Sequence, residues 1–142
     1  MDTLLRTAYI VRGIVKMNED IVNNRKVDMR YITYLSDYVS DDDVKMFMMN
    51  INIRINDYLK KDPMSDDDKL TISILSLALL SFFIYSDIAV AKKIYHQIIK
   101  AVDNLDYDKM YIMSDDICSD MQNIITEMKQ YCSTLSTLYP VL

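Results

Sequence analysis

Hydrophobic residues recur along most of the chain at intervals of three and four, which places them on one face of an α-helix. This pattern predicts a first helix over about residues 3–17 and a second over 28–39. A longer helix is predicted after the acidic segment that begins at Ser40. Residues 51–55 also alternate as in a strand, but the helical spacing extends past them on both sides. The pattern therefore favours a helix there, either continuous or broken into two short ones.

One segment, Leu70–Ser86, is apolar on every side of a helix and contains no charged residue. At about 1.5 Å per residue it would be roughly 25 Å long, shorter than a ~30 Å hydrocarbon core. Lys69 and Asp87 end it abruptly, without the aromatic belts or the basic flank of membrane spans. The sequence therefore favours a central hydrophobic helix over about 66–85, surrounded by amphipathic helices, rather than a membrane span.

The C-terminal half continues the helical pattern. Ser86-Asp87 is predicted to begin a helix, and residues 103–113 are expected to form a connector. The acidic segment Ser114-Asp115-Asp116 is then predicted to cap a last helix. Together the segments predict an all-α bundle of roughly six to eight helices with short connections. We expect a single domain over 1–142, with a tail at 136–142.

The composition excludes several classes of protein. One Gly and two Pro are too few for the turns of a sandwich or barrel, or for a Gly-rich nucleotide loop. Hydrophobic residues make up 51% of the chain, which excludes a disordered protein. A net charge of −5, with no run of Lys or Arg longer than two residues, argues against nucleic acid as a partner. The eleven Met residues suit either core filling or an adaptable binding surface.

The chemically active side chains do not form a recognisable catalytic or metal site. The triplets Asp41–Asp43 and Asp66–Asp68 precede predicted helices, where caps and the helix dipole favour them, and they lack the Gly and alternating donors of a calcium loop. His96 is the only histidine, and the sequence places no nucleophile near it. Cys118 and Cys132 lie about four turns apart, beyond disulfide reach. We expect no enzymatic activity, no metal and no cofactor.

The segment Lys69–Ile74 resembles the start of the central helix in poxvirus Bcl-2-like apoptosis inhibitors. In that family a basic residue is followed by Leu, a small residue and a Thr-rich apolar helix. Asn50–Asp62 and Met128–Cys132 are also similar, so the resemblance extends over roughly 28–135. It implies a Bcl-2-like helical bundle whose surface groove receives the amphipathic Bcl-2 homology 3 (BH-3) helix of pro-apoptotic Bcl-2 family proteins. It also implies that the protein inhibits apoptosis by sequestering those partners.

The resemblance assigns groove positions to ten residues. Lys69 would pair with an Asp of the ligand helix, and Thr71 and Ile72 would line the groove floor. One wall would consist of Phe47, Met48, Ile51, Ile55 and Tyr58, and the opposite wall of Met29 and Ile32. Plain core packing is an equal alternative for each residue of the first wall. Asp66–Asp68 stand where cellular relatives have Asn-Trp-Gly, and these carboxylates would compete for Lys69.

Other interpretations stay open. Poxvirus Bcl-2-like proteins also include inhibitors of innate immune signalling of the NF-κB type, which have closed grooves and act through outer faces. A polar loop at 18–26 follows the first helix, which predicts a homodimer formed by exchange of that helix.

No secretory signal or glycosylation sequon is present, so we expect the protein to be located in the host cytoplasm. The mitochondrial outer membrane is the alternative location if an anchor followed Leu142.

Overall fold

The computed structural model describes residues 16, 19–20, 23, 39–85 and 87–131, with 84, 121, 124–125 and 127–131 described by their backbone alone. Four long α-helices lie in this part of the chain: α1 (Asp42–Leu59), α2 (Asp66–Ile84), α3 (Ile88–Asp103) and α4 (Tyr107–Tyr131). The described residues include no strand, and the predicted all-α class is confirmed for them. The helices predicted over 3–17 and 28–39 lie almost wholly outside the described residues.

The helix α2 forms the centre of the described bundle. It contacts α1, α3 and α4, and every side chain from Ile74 to Ser81 is buried. The prediction of a central hydrophobic helix over about 66–85 is therefore confirmed. None of the helices in the described part of the chain has the length and hydropathy needed to span a bilayer.

Serine hydroxyls enter this core without remaining unpaired. Ser76 Oγ donates to the carbonyl oxygen of Ser73 at 2.7 Å, and Ser81 Oγ donates to that of Ala78 at 2.7 Å. Because each hydroxyl finds an acceptor within its own helix, its burial does not carry the full cost of an unsatisfied polar group. A segment diluted by serines can therefore still be the most buried helix.

Two helices begin at the acidic residues that the sequence indicates. The Asp41 carboxylate accepts from the Val44 N–H at 3.1 Å at the start of α1. The Asp87 carboxylate accepts from the Ala89 N–H at 2.9 Å at the start of α3. These bonds satisfy N–H groups that helix geometry leaves without a partner. The helix α1 is continuous over its whole length, so the alternative of two short helices there is wrong.

The start of α2 is a capping box. Ser65 Oγ accepts from the Asp68 N–H at 3.1 Å, and the Asp68 carboxylate accepts from the Ser65 N–H at 3.1 Å. We expect Ser65→Ala to lower the free energy of unfolding by about 1 kcal/mol, measured by urea unfolding followed by circular dichroism. The matched control, Ser114→Ala inside α4, is expected to leave stability unchanged or to raise it by a few tenths of a kcal/mol. Equal losses in both variants would contradict the cap.

The predicted start of the last helix at Ser114 is wrong. The helix α4 already begins at Tyr107, so the predicted connector over 103–113 is largely helical and Ser114-Asp115-Asp116 lies inside α4. The Asp106 carboxylate accepts from the Lys109 N–H at 3.2 Å, which supplies the side-chain bond typical of a helix start. The acids near this start, Asp103, Asp106 and Asp108, are dispersed, whereas Ser114-Asp115-Asp116 is consecutive, and this explains the error.

The turn between α3 and α4 contains a leucine in the left-handed region, Leu105 with φ of 52°. The Asp106 N–H donates to the Ala101 carbonyl at 2.9 Å, and the Leu105 N–H donates to that of Val102 at 3.1 Å. This is the hydrogen-bond pattern of a Schellman motif, whose left-handed position is usually Gly. A residue with a Cβ costs roughly 1–2 kcal/mol there, and the Leu105 side chain is 57% exposed, so little burial offsets that cost.

We expect Leu105→Gly to raise the free energy of unfolding by about 0.5–1 kcal/mol. The relief of the left-handed backbone exceeds the entropy that Gly adds to the unfolded chain. Leu105→Ala removes most of the side chain but keeps the Cβ, and should bring no gain. Thermal and urea unfolding of both variants check this, and a destabilised Gly variant would show that the leucine side chain matters more than its backbone angle.

Candidate functional site

The ten predicted groove residues divide by burial. Five of them have an exposed fraction of 2% or less, namely Met48, Ile51, Ile55, Thr71 and Ile72. Three are partly buried, namely Phe47, Tyr58 and Lys69. The remaining two, Met29 and Ile32, lie outside the described residues, so the second wall stays a prediction.

The five buried positions are enclosed by the chain's own helices. The four apolar ones lie in the same hydrophobic cluster as Leu75 and Leu79 of the central helix. Thr71 Oγ1 donates to the Asp67 carbonyl at 2.8 Å and lies 3.9 Å from the sulfur of Met110 in α4. Core packing, the alternative that the sequence leaves open for the α1 residues, is therefore the arrangement in this structure. A ligand could reach Met48, Ile51 and Ile55 only if α1 moved away from the core.

Lys69 lies in the first turn of α2, partly buried. Among the described residues no carboxylate lies within 4.0 Å of its ammonium. Asp68 instead pairs with Lys61, Nζ to Oδ1 at 3.0 Å. Burial acts to raise the pKa of the Asp68 carboxyl, but hydrogen bonds from Lys61 and Ser65 outweigh it and hold that pKa below its usual value. Asp68 is thus charged and paired with Lys61.

An aromatic cluster around Phe47 joins α1 to both of its neighbours. The Phe47 ring stacks on Tyr95 of α3, with centroids 4.2 Å apart and planes at 16°. It also meets His96 edge to face at 5.1 Å and lies 6.4 Å from the Phe82 ring of α2. These separations suit stacked and edge-to-face contacts. The only histidine of the chain thus lies exposed at the rim of an aromatic cluster.

Polar contacts continue this junction along α1 and α3. Asn50 Nδ2 donates to the Tyr95 hydroxyl at 2.6 Å, and Arg54 Nε donates to Asn50 Oδ1 at 3.2 Å. Arg54 Nη1 also pairs with Asp103 Oδ1 at 2.7 Å. The sequence pattern alone does not indicate this network. The i, i+4 spacing of Asn50 and Arg54 was its only local signal.

A third contact fixes the beginning of α1. Lys92 Nζ of α3 lies 3.2 Å from Asp41 Oδ2 and 3.5 Å from Asp43 Oδ2. The hydrogen bond from the Val44 N–H, and after it that from Lys92, lowers the pKa of the Asp41 carboxyl. The hydrogen bond to Asp41 raises the pKa of Lys92 in turn. The helix α1 is therefore attached to α3 near both of its ends and in its middle.

The outward face of α1 carries three exposed apolar side chains that the sequence analysis did not assign to a site. Met46 is 65% exposed, Met49 61% and Ile53 58%, and their spacing of three and four places them on one face. We call these three residues the α1 stripe. It lies opposite the core positions of the same helix, such as Ile51. The spacing of these three residues indicates a second apolar face on α1. The predicted groove wall was assigned instead to the face that contains Met48, Ile51 and Ile55.

Other chemically active groups lie at the end of α2 and on α4. The Tyr85 hydroxyl at the end of α2 donates to the Asp120 carboxylate; burial, and after it this carboxylate, raises the pKa of Tyr85 well above its usual value. The thiol of Cys118 is free and partly buried. Within the described residues no group of three His, Cys, Asp or Glu side chains is placed to hold a metal ion.

No family model matches this chain, and no curated protein or solved structure matches it either.

Proposed function

We propose that this chain is a non-catalytic Bcl-2-like protein that inhibits innate immune signalling of the NF-κB type, with a closed groove and a partner bound on its outer surface. The observation that carries the proposal is the burial of five predicted groove positions, with Ile51, Ile55 and Ile72 at 0% exposure. A helix ligand gains affinity by placing apolar anchors in pockets. Here the chain's own core already fills those positions.

The attachments of α1 support a groove that stays closed. A cleft between α1 and α2 would require α1 to shift, and its contacts with Tyr95, Lys92 and Asp103 of α3 oppose that shift. Of these contacts the Phe47–Tyr95 stack contributes about 1 kcal/mol, and the ion pairs, which lie near the surface, contribute less. Because these contacts are distributed along α1 from Asp41 to Arg54, α1 cannot move without disturbing several of them together.

A two-armed cell assay tests the proposal. Cells expressing the chain would be stimulated through an NF-κB reporter in one arm and through a mitochondrial death stimulus in the other. We expect reduced reporter output and unchanged cell death, and Lys69→Glu should retain the reporter effect because Lys69 lies at the closed groove. Protection from death without any effect on the reporter would overturn the proposal.

Lys69 favours a second candidate function, sequestration of the BH-3 helices of pro-apoptotic Bcl-2 proteins. Its ammonium is partly buried at the start of the central helix, and no described carboxylate is paired with it. A ligand aspartate there would form a charge-assisted bond that sets the register of the bound helix. Under this function Lys69→Glu abolishes protection in the death arm, whereas Lys93→Glu, at an exposed position of α3, leaves it unchanged.

A further inference from the structure

We draw no further inference here: the strongest candidate, the α1 stripe of Met46, Met49 and Ile53 on the outward face of α1, is an exposed apolar face, and nothing in the described part of the structure shows what covers it.

Discussion

Replacing Leu79 by alanine is expected to lower the free energy of unfolding by about 3 kcal/mol, the usual loss when a leucine is truncated in a closely packed core. Leu79 is fully buried near the middle of α2, the helix that α1, α3 and α4 all contact. Because α2 has a helix on three sides, those helices cannot close the cavity left by the leucine side chain without losing other contacts. The cavity therefore remains and its cost adds to the lost burial.

Urea unfolding at a few micromolar protein measures this loss against a matched control. Ile112→Ala truncates a β-branched side chain of similar size at an exposed position of α4, and it should change stability by no more than about 0.5 kcal/mol. A Leu79→Ala loss as small as that of the control would mean that α2 is not the centre of the bundle.

Replacing Phe47 by alanine is expected to lower the free energy of unfolding by about 2–3 kcal/mol, somewhat less than for a fully buried phenylalanine. The Phe47 ring is only partly buried, but it contacts Tyr95 of α3 and lies near Phe82 of α2. The variant removes the apolar contact that holds the middle of α1 against both helices. Phe47→Leu keeps much of the apolar volume and should lose roughly half as much.

A double-mutant cycle isolates the stack within that loss. Phe47→Leu and Tyr95→Leu, alone and together, should show a coupling energy of about 1 kcal/mol. Tyr95→Leu also removes the hydroxyl that accepts the hydrogen bond from Asn50. The stability losses of the single variants therefore do not measure the stack, and only the coupling energy of the cycle does. A coupling energy near zero would mean that the Phe47–Tyr95 stack does not stabilise the contact between α1 and α3. The proposal of a closed groove would then have one argument fewer.

Short-range features of the fold could be predicted from the sequence. The run Leu70–Ser86 identified the central helix because no charge interrupts it and its length falls short of a span. The triplets Asp41–Asp43 and Asp66–Asp68 indicated two helix starts, because the capping bonds that form there join residues only three apart. The start of α4 was missed because the acids around Asp106 are dispersed, whereas Ser114-Asp115-Asp116 forms a consecutive cluster.

Long-range features could not be predicted in this way. Helical spacing shows that Met48, Ile51 and Ile55 share a face, but it does not show whether that face meets the core or a ligand. In the structure this face packs in the core. The hydrogen bonds from Asn50 to Tyr95 and from Arg54 to Asp103 join residues 45 and 49 positions apart. No local sequence pattern predicts such pairs.

The closed groove is tested most directly by calorimetric titration of the full chain with a panel of BH-3 peptides from pro-apoptotic proteins. Because Ile51, Ile55 and Ile72 are already buried, we expect no peptide to bind with a Kd tighter than about 10 µM. Binding with a Kd below about 1 µM, weakened at least tenfold by Lys69→Glu and unchanged by Lys93→Glu, would contradict the closed groove and establish the peptide-binding one.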